Sequence, residues 1–375
     1  MLVIVVISAL RPAAWLALEW RHCPGGICTA SGTPPEWDFA IFWIGGRLAR
    51  LRDFSDLFVF SNFHQYIAAH FHYDIGLSPF AYPPPVLLLF APLAFLPLPV
   101  AYALWIAAGT AALLAALRLA GLRWAGCCFV LSSPPFLYNL LLGQNGAFTA
   151  ALLLAALSLA AARPVRAGWF AALLLIKPQI GLLVPAAWAG GRHGQALAVS
   201  ILAAAALAGA SVLVFGPEPW QLYLAATLPE MRNVMTTAAP QYSQVNSITS
   251  FVLLRALGLS VAAATVCEWL IALAACIFCF FSCRRAGAET ALAVTVLLSL
   301  LVMPYGHTYD MVAYAAVLAL IAQARGPSLA LAFFWFWPAV SRDVMVQFAA
   351  PVTPLVILAA LAWVVRLGAR PARPA

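Results

Sequence analysis

Asp38 stands alone in the aromatic run Trp37-Asp38-Phe39-Ala40-Ile41-Phe42-Trp43, just beyond the first apolar stretch of the chain. A lone carboxylate beside a bilayer loses solvation unless water or a partner replaces it, which makes such a residue a functional candidate by default. The chemistry it can carry is that of a general base, taking a proton from a hydroxyl. Lys177, the only lysine in the chain, lies in the Pro-broken apolar segment around Lys177-Pro178-Gln179. An ammonium there needs an anion, and a lipid phosphate is the obvious one. His307 and Asp310 lie three apart in Tyr305-Gly306-His307-Thr308-Tyr309-Asp310, where a carboxylate can hold the imidazole while it donates to a substrate oxygen or phosphate.

Uncharged polar groups complete the set. Gln144-Asn145 and Asn246-Ser247 fall at the ends of apolar stretches and suit sugar hydroxyls, although capping turns explain them as well. Tyr82 precedes Pro83-Pro84-Pro85, a stiff extended stretch that can fix the wall of a cavity. The plainer readings stand beside these. Asp38 suits the first turn of a helix through the helix dipole; Arg47 and Arg50 suit lipid phosphates. Lys177 can snorkel to an interface, and His307 can be an ordinary loop residue.

The elements that must position these groups follow from composition. The 375 residues are 65% hydrophobic and 9% charged, with mean hydropathy +0.95. Soluble domains carry about 25% charged residues, so this chain cannot cover a water-facing surface. An all-α polytopic membrane protein is expected, because strands of a membrane barrel do not give apolar runs of about 20 residues. The net charge of +8 comes from arginines placed singly or in pairs between apolar runs, a topology signal rather than a nucleic-acid surface. Of eight cysteines, six lie in or near apolar spans and read as fillers, whereas Cys23 and Cys28 could pair in an outer loop. No Cys/His spacing suggests a metal site.

Arginine placement orients each span. Met1 to Leu18 runs outward as a retained first helix, and Arg11 within it is anomalous. A long outer loop over 19–80 holds an interfacial helix from Glu36 to Leu51, on which Asp38 shares a face with Phe42, Gly45 and Ala49 at about 100° per residue. That column of small residues leaves room for a substrate or a neighbouring helix. Spans follow at Pro99–Leu117, Trp124–Leu142 and Ala147–Ala162. The Lys177 segment, basic on both flanks, is either a re-entrant hairpin or a single broken helix. Gln195–Phe215 leads to a second outer loop over 216–247; Val261–Cys283, Ala288–Pro304, Met311–Gln323, Ser328–Val340 and Val344–Val365 complete the set. Residues 1–365 thus form one membrane domain and 366–375 a basic cytoplasmic tail. The candidate groups share one side of the membrane and the compact basic loops share the other.

In order along the chain, Trp37-Asp38-Phe39 to Gly46-Arg47, Pro79 to Pro84, Leu142 to Gly146, Lys177-Pro178-Gln179, Asn246-Ser247 with Arg255, and Pro304 to Asp310 resemble the bacterial family-87 glycosyltransferases. The resemblance implies a GT-C fold of about 10–12 transmembrane or re-entrant helices, with its active site at the outer face of the plasma membrane. It also implies transfer of a sugar, mannose first among the options, from a polyprenyl-phosphate donor to a glycan or glycolipid hydroxyl. Asp38 would be the base and His307 a second catalytic residue. Tyr82, Gln144, Asn145, Lys177, Gln179, Asn246, Tyr305, Asp310 and Arg47 would bind donor or substrate, with no cofactor, metal or nucleic acid. Two other classes stay open: a lipid-linked sugar flippase, which would favour symmetric halves, and an O-antigen-ligase-like or polymerase-like enzyme, whose donors are diphosphates.

Overall fold

The computed structural model describes residues 37–71, 79–237 and 244–368. The expected first span, the Cys23–Cys28 pair and the tail from residue 369 lie outside them. Every named element among the described residues is helical, and the one β-bridge joins Ser247 to His307. This is an all-α polytopic membrane protein. Four helices are long and apolar enough to cross a bilayer: Leu98–Leu119, Gly194–Phe215, Val261–Arg285 and Leu329–Phe348. Trp124–Leu131 and Pro134–Leu142 form a fifth candidate bent by 58°. Shorter apolar helices include Gly146–Leu159, Pro164–Ile176, Ala288–Leu301 and Thr353–Gly368.

Several boundaries differ from those expected. The span from Trp124 to Leu142 breaks because Pro134 and Pro135 lack the N–H groups a continuing helix needs. The second half restarts with Ser133 accepting from the Phe136 N–H. Leu329–Phe348 runs straight through Ser341-Arg342-Asp343, which were expected to end it, and stops at Ala349 in a left-handed conformation. A short polar trio costs a helix little; the next helix starts at Thr353, with Pro354 in its first turn, where the missing N–H has no intrahelical partner to lose. Arg366 is still helical, so the basic tail begins later than residue 366. Residues 216–247, expected as a loop, contain the helices Glu218–Leu222 and Leu228–Thr236.

The Lys177 segment folds as a hairpin. Its first limb starts at Pro164, and Gly168 packs against Ala196 and Val199 at the start of helix Gly194–Phe215. Its second limb, Val184–Gly191, ends three residues before that same helix begins. Both limbs therefore meet one end of Gly194–Phe215, and Lys177 marks the turn between them. Leu174 and Ile180 belong to a large apolar core built with Gly146–Leu159, Ala288–Leu301 and Val312–Arg325. Ile176 belongs to a second core of aromatic residues from helix Trp37–Leu51, the 80–93 segment and Trp105. Lys177 thus lies at the seam of two cores.

The small residues beside Asp38 admit a neighbouring element rather than a substrate. Gly45 lies under the Phe80 ring, and a Cβ on Gly46 would stand 2.1 Å from the Phe90 carbonyl oxygen. Phe42 stacks on Phe90 with centroids 4.8 Å apart. The same device recurs at Gly146, where a Cβ would stand 2.1 Å from the Tyr309 carbonyl oxygen. Helix Gly146–Leu159 can therefore seat its first turn directly on the 305–310 loop. Gly146→Ala is expected to lower the unfolding temperature in detergent, by the equivalent of about 1–3 kcal/mol of overpacking. Gly209→Ala, inside helix Gly194–Phe215 where an added Cβ meets nothing within 4 Å, should leave it unchanged or raise it slightly; equal melting of the two variants would show that the close seat is not needed.

Candidate functional site

Helix Trp37–Leu51 places Asp38 in its first turn, where the dipole favours an acid. The helix is too short to span, and Phe39 and Phe42 anchor it in the aromatic core. The carboxylate is half-buried, and its Oδ2 accepts from Gln144 Nε2 at 2.9 Å. Gln144 is held for that task. Its Oε1 accepts the Asn145 N–H, its carbonyl accepts Trp105 Nε1 at 3.4 Å, and its N–H reaches the Asn139 carbonyl. Gly143, at φ +67°, closes the preceding helix and turns the chain toward Asp38. Among the described residues no other hydrogen bond reaches the Asp38 carboxylate, so Oδ1 is open.

Lys177 is buried, and its ammonium pairs with Asp310 Oδ1 at 2.5 Å. The counter-charge expected from a lipid phosphate is thus supplied inside the protein. The Lys177 ammonium also lies 5.0 Å from the centre of the Tyr309 ring. Asp310 Oδ2 accepts the backbone N–H of His307 at 2.9 Å. The imidazole itself stacks on Tyr309, whose hydroxyl lies 3.3 Å from His307 Nδ1. Asp310 therefore meets His307 twice, its carboxylate accepting the His307 N–H and its own N–H donating to the imidazole, while Tyr309 stacks on the ring.

The loop is fixed from both sides. Thr308 N–H donates to the Asn246 carbonyl at 3.0 Å and Ile248 N–H to the Gly306 carbonyl at 3.1 Å. Gln179 Nε2 approaches the Tyr305 carbonyl at 3.5 Å. Asn246 enters through its backbone, and Arg255 closes its own helix by donating to the Leu259 carbonyl.

Burial raises the pKa of Asp38 from 3.8 to about 6, partly offset by the Gln144 hydrogen bond and, less, by Lys177. Tyr82, Tyr305 and Tyr309 are pushed up by burial and by the fields of Asp38 and Asp310, so each stays a neutral phenol. These mutual fields place Asp38, Tyr82, Lys177, Tyr305, Tyr309 and Asp310 in one cluster. The Asn145 amide is fully buried without a hydrogen bond of ordinary geometry, yet near enough to Tyr82 to favour its phenolate.

Arg47 is the candidate that stays apart. It lies nine residues along the helix from Asp38 and rests 5.9 Å from the Trp43 ring centre. Arg50 is spent on the protein, donating to the Ala94 carbonyl and covering the Phe95 ring. Tyr309 is the residue not singled out from sequence, although the run of aromatics around His307 carried the signal. Among the described residues no three His, Cys, Asp or Glu side chains gather in a metal-holding group.

A family model described as glycosyltransferase family 87 matches residues 80–304. No curated protein and no solved structure matches the chain.

Two outcomes follow from this geometry. Removing one partner of a buried ion pair costs about 3–5 kcal/mol, while removing both can be nearly neutral. Lys177→Met and Asp310→Leu should each melt well below the native protein, and the double variant above either; additive losses would mean that the pair is not coupled. Asp38 titrates higher folded than its ordinary 3.8, so ionising it opposes folding. That penalty is absent below about pH 4, grows as pH rises toward 6 and is complete above it, up to roughly 3 kcal/mol. Asp38→Asn should therefore melt higher than native at pH 8 and coincide with it near pH 4.

Proposed function

The chain belongs to glycosyltransferase family 87, and from that premise we propose that this membrane glycosyltransferase uses a polyprenyl-phosphate sugar, most simply mannose, at the outer face of the membrane. The observation that carries the reading is the Asp38 carboxylate, one oxygen held by Gln144 and the other open, within reach of the field of Lys177. The membrane side rests on the basic loops. Gln323 bonds the Gly121 carbonyl and the Arg123 N–H, and Arg325 the Leu367 carbonyl, so these basic loops gather at one end. Gln144 and Lys177 each sit across an apolar segment from that basic side. Under the positive-inside rule that end is cytoplasmic and Asp38 faces out.

The donor is already activated, because its leaving group is a phosphate monoester that needs no strong acid. The acceptor oxygen attacks the anomeric carbon, the bond from that carbon to the phosphate oxygen breaks, and Asp38 takes the hydroxyl proton. Direct attack inverts the anomeric configuration. A placed carboxylate contributes ~10²–10⁴-fold to such a step, and a pKa near 6 makes Asp38 a stronger base than an exposed carboxylate while leaving it ionised at neutral pH. Lys177 and His307 steady the charge growing on the departing phosphate. Tyr82, Tyr305, Asn145 and Gln179 offer neutral donors and acceptors to the sugar; Arg47, apart from the cluster, is a contact for lipid phosphates. The prenyl chain lies in the bilayer and anchors the donor.

The test is transfer by purified protein from defined polyprenyl-phosphate sugars, with mass analysis of products. Asp38→Asn should lose at least about 10²-fold in transfer rate while still inserting and folding. The rate of the native enzyme should rise with pH through a midpoint near 6, as the base loses its proton. Near-native transfer by Asp38→Asn would remove the proposed base.

A further inference from the structure

Two of the cysteines expected to be apolar fillers meet in the fold, away from the site described above. Cys279 and Cys283 stand one turn apart on helix Val261–Arg285, on the face that packs against helix Ala288–Leu301. Both sulfurs lie 3.5 Å from the same atom, Thr295 Oγ1. The Thr295 hydroxyl spends its hydrogen on the Ala291 carbonyl at 2.7 Å, so its oxygen can only accept from the thiols. Cys283 has a second acceptor in the Ala291 carbonyl at 3.9 Å, and the two thiols are near enough to hydrogen-bond each other. Cys279 is fully buried and Cys283 half-buried. Beside Cys283, Arg284 and Arg285 are exposed and end the helix. The positive-inside rule puts that end in the cytoplasm, where thiols stay reduced.

The spacing decides what such a pair can hold. Side chains four apart on a helix have Cβ atoms about 5–6 Å apart, whereas a disulfide needs about 3.5–4.5 Å. Joining the sulfurs directly would therefore distort the helix. An atom set between them fits: two metal–thiolate bonds of about 2.3 Å, end to end, span about 4.6 Å. Thiolates select soft ions. Zinc and iron–sulfur clusters call for four ligands, and among the described residues no third His, Cys, Asp or Glu gathers with the pair. A cuprous ion is soft and is satisfied by two thiolates in line. We propose that Cys279 and Cys283 form a two-coordinate cuprous site between these helices. Binding exchanges two S–H protons, released to water, for one Cu⁺, with no change of oxidation state. The bis-thiolate complex carries one negative charge, and Arg284 and Arg285, next along the helix, bring positive charge to the same end. Thr295 gives up the thiol hydrogens and keeps its bond to Ala291, so it is a neighbour of the ion and not a ligand.

The experiment is a titration of full-length protein in nanodiscs with cuprous ion, held under ascorbate and without oxygen by the coloured chelator bathocuproine disulfonate. The native protein is expected to take about one ion from the chelator, with two sulfur neighbours in the copper X-ray absorption spectrum. Cys279→Ser and Cys283→Ser should each weaken uptake by more than about 100-fold, beyond the 10–100-fold that loss of an outer contact costs. Thr295→Val, which leaves both sulfurs in place, should bind within tenfold of native. Copper should raise the melting temperature of the native protein and of Thr295→Val, and of neither serine variant. A serine variant that fails to fold is replaced by alkylation of the half-buried Cys283 in the native protein, which should block uptake equally. No uptake by the native protein, equal uptake by the Cys279→Ser, Cys283→Ser double variant, or nitrogen and oxygen neighbours in place of sulfur would overturn the site.

Discussion

The ion pair between Lys177 and Asp310 holds the site together. An ammonium at the seam of two apolar cores is untenable alone, because desolvating it costs several kcal/mol. Its partner lies 133 residues further on, so satisfying the charge draws the hairpin apex onto the 305–310 loop. The second oxygen of Asp310 then fixes the His307 backbone. From that loop the rest follows: the backbone bonds to 246–248, the approach of Gln179 to Tyr305, and the seat of Gly146 under Tyr309. A pair of this kind adds little net stability compared with hydrocarbon, and its value lies in permitting one arrangement.

Much of this was legible in the sequence, and the reason differs from residue to residue. Asp38 stood out because burying a carboxylate is expensive, so its presence among aromatics signals a purpose. Lys177 stood out for the same reason, and the basic flanks of its segment made a hairpin one of two readings. The glycine column beside Asp38 signalled close approach, but only the fold decides that the visitor is Phe80 rather than a substrate. Pairings across long stretches of chain were not legible. Gln144 read as a sugar contact or a cap, and its grip on Asp38 spans 106 residues. Asp310 read as a partner for the His307 ring, three residues away, whereas the ammonium made the stronger claim. The boundaries that moved had different causes: the Pro134-Pro135 pair broke one span, whereas helix Leu329–Phe348 carried Pro338 and Ser341–Asp343 within it and stopped only at the left-handed Ala349.

The site keeps charge and neutrality in separate places. Charged side chains meet one another at the seam, where each has a named partner or a polar neighbour. Among the described residues, none lining the small cleft beside Tyr305 and His307 is Lys, Arg, Asp or Glu. Tyrosines make that boundary possible. Held neutral by burial and by two neighbouring carboxylates, they bring hydrogen-bonding hydroxyls to the acids without adding charge.

The same separation accounts for a base of intermediate strength. A carboxylate buried as Asp38 is, and facing a bare ammonium, would be driven back toward an ordinary acidity, because an opposite charge favours the ionised form. Here Lys177 is paired with Asp310, and its pull on Asp38 is the smallest of the three influences on that group, behind burial and the Gln144 hydrogen bond. Gln144 limits how far burial can go, since a donor fixed on one oxygen stabilises the anion that desolvation opposes. An acid balanced between the two stays ionised at neutral pH and still binds a proton readily, which is what a step that removes a proton from an alcohol requires.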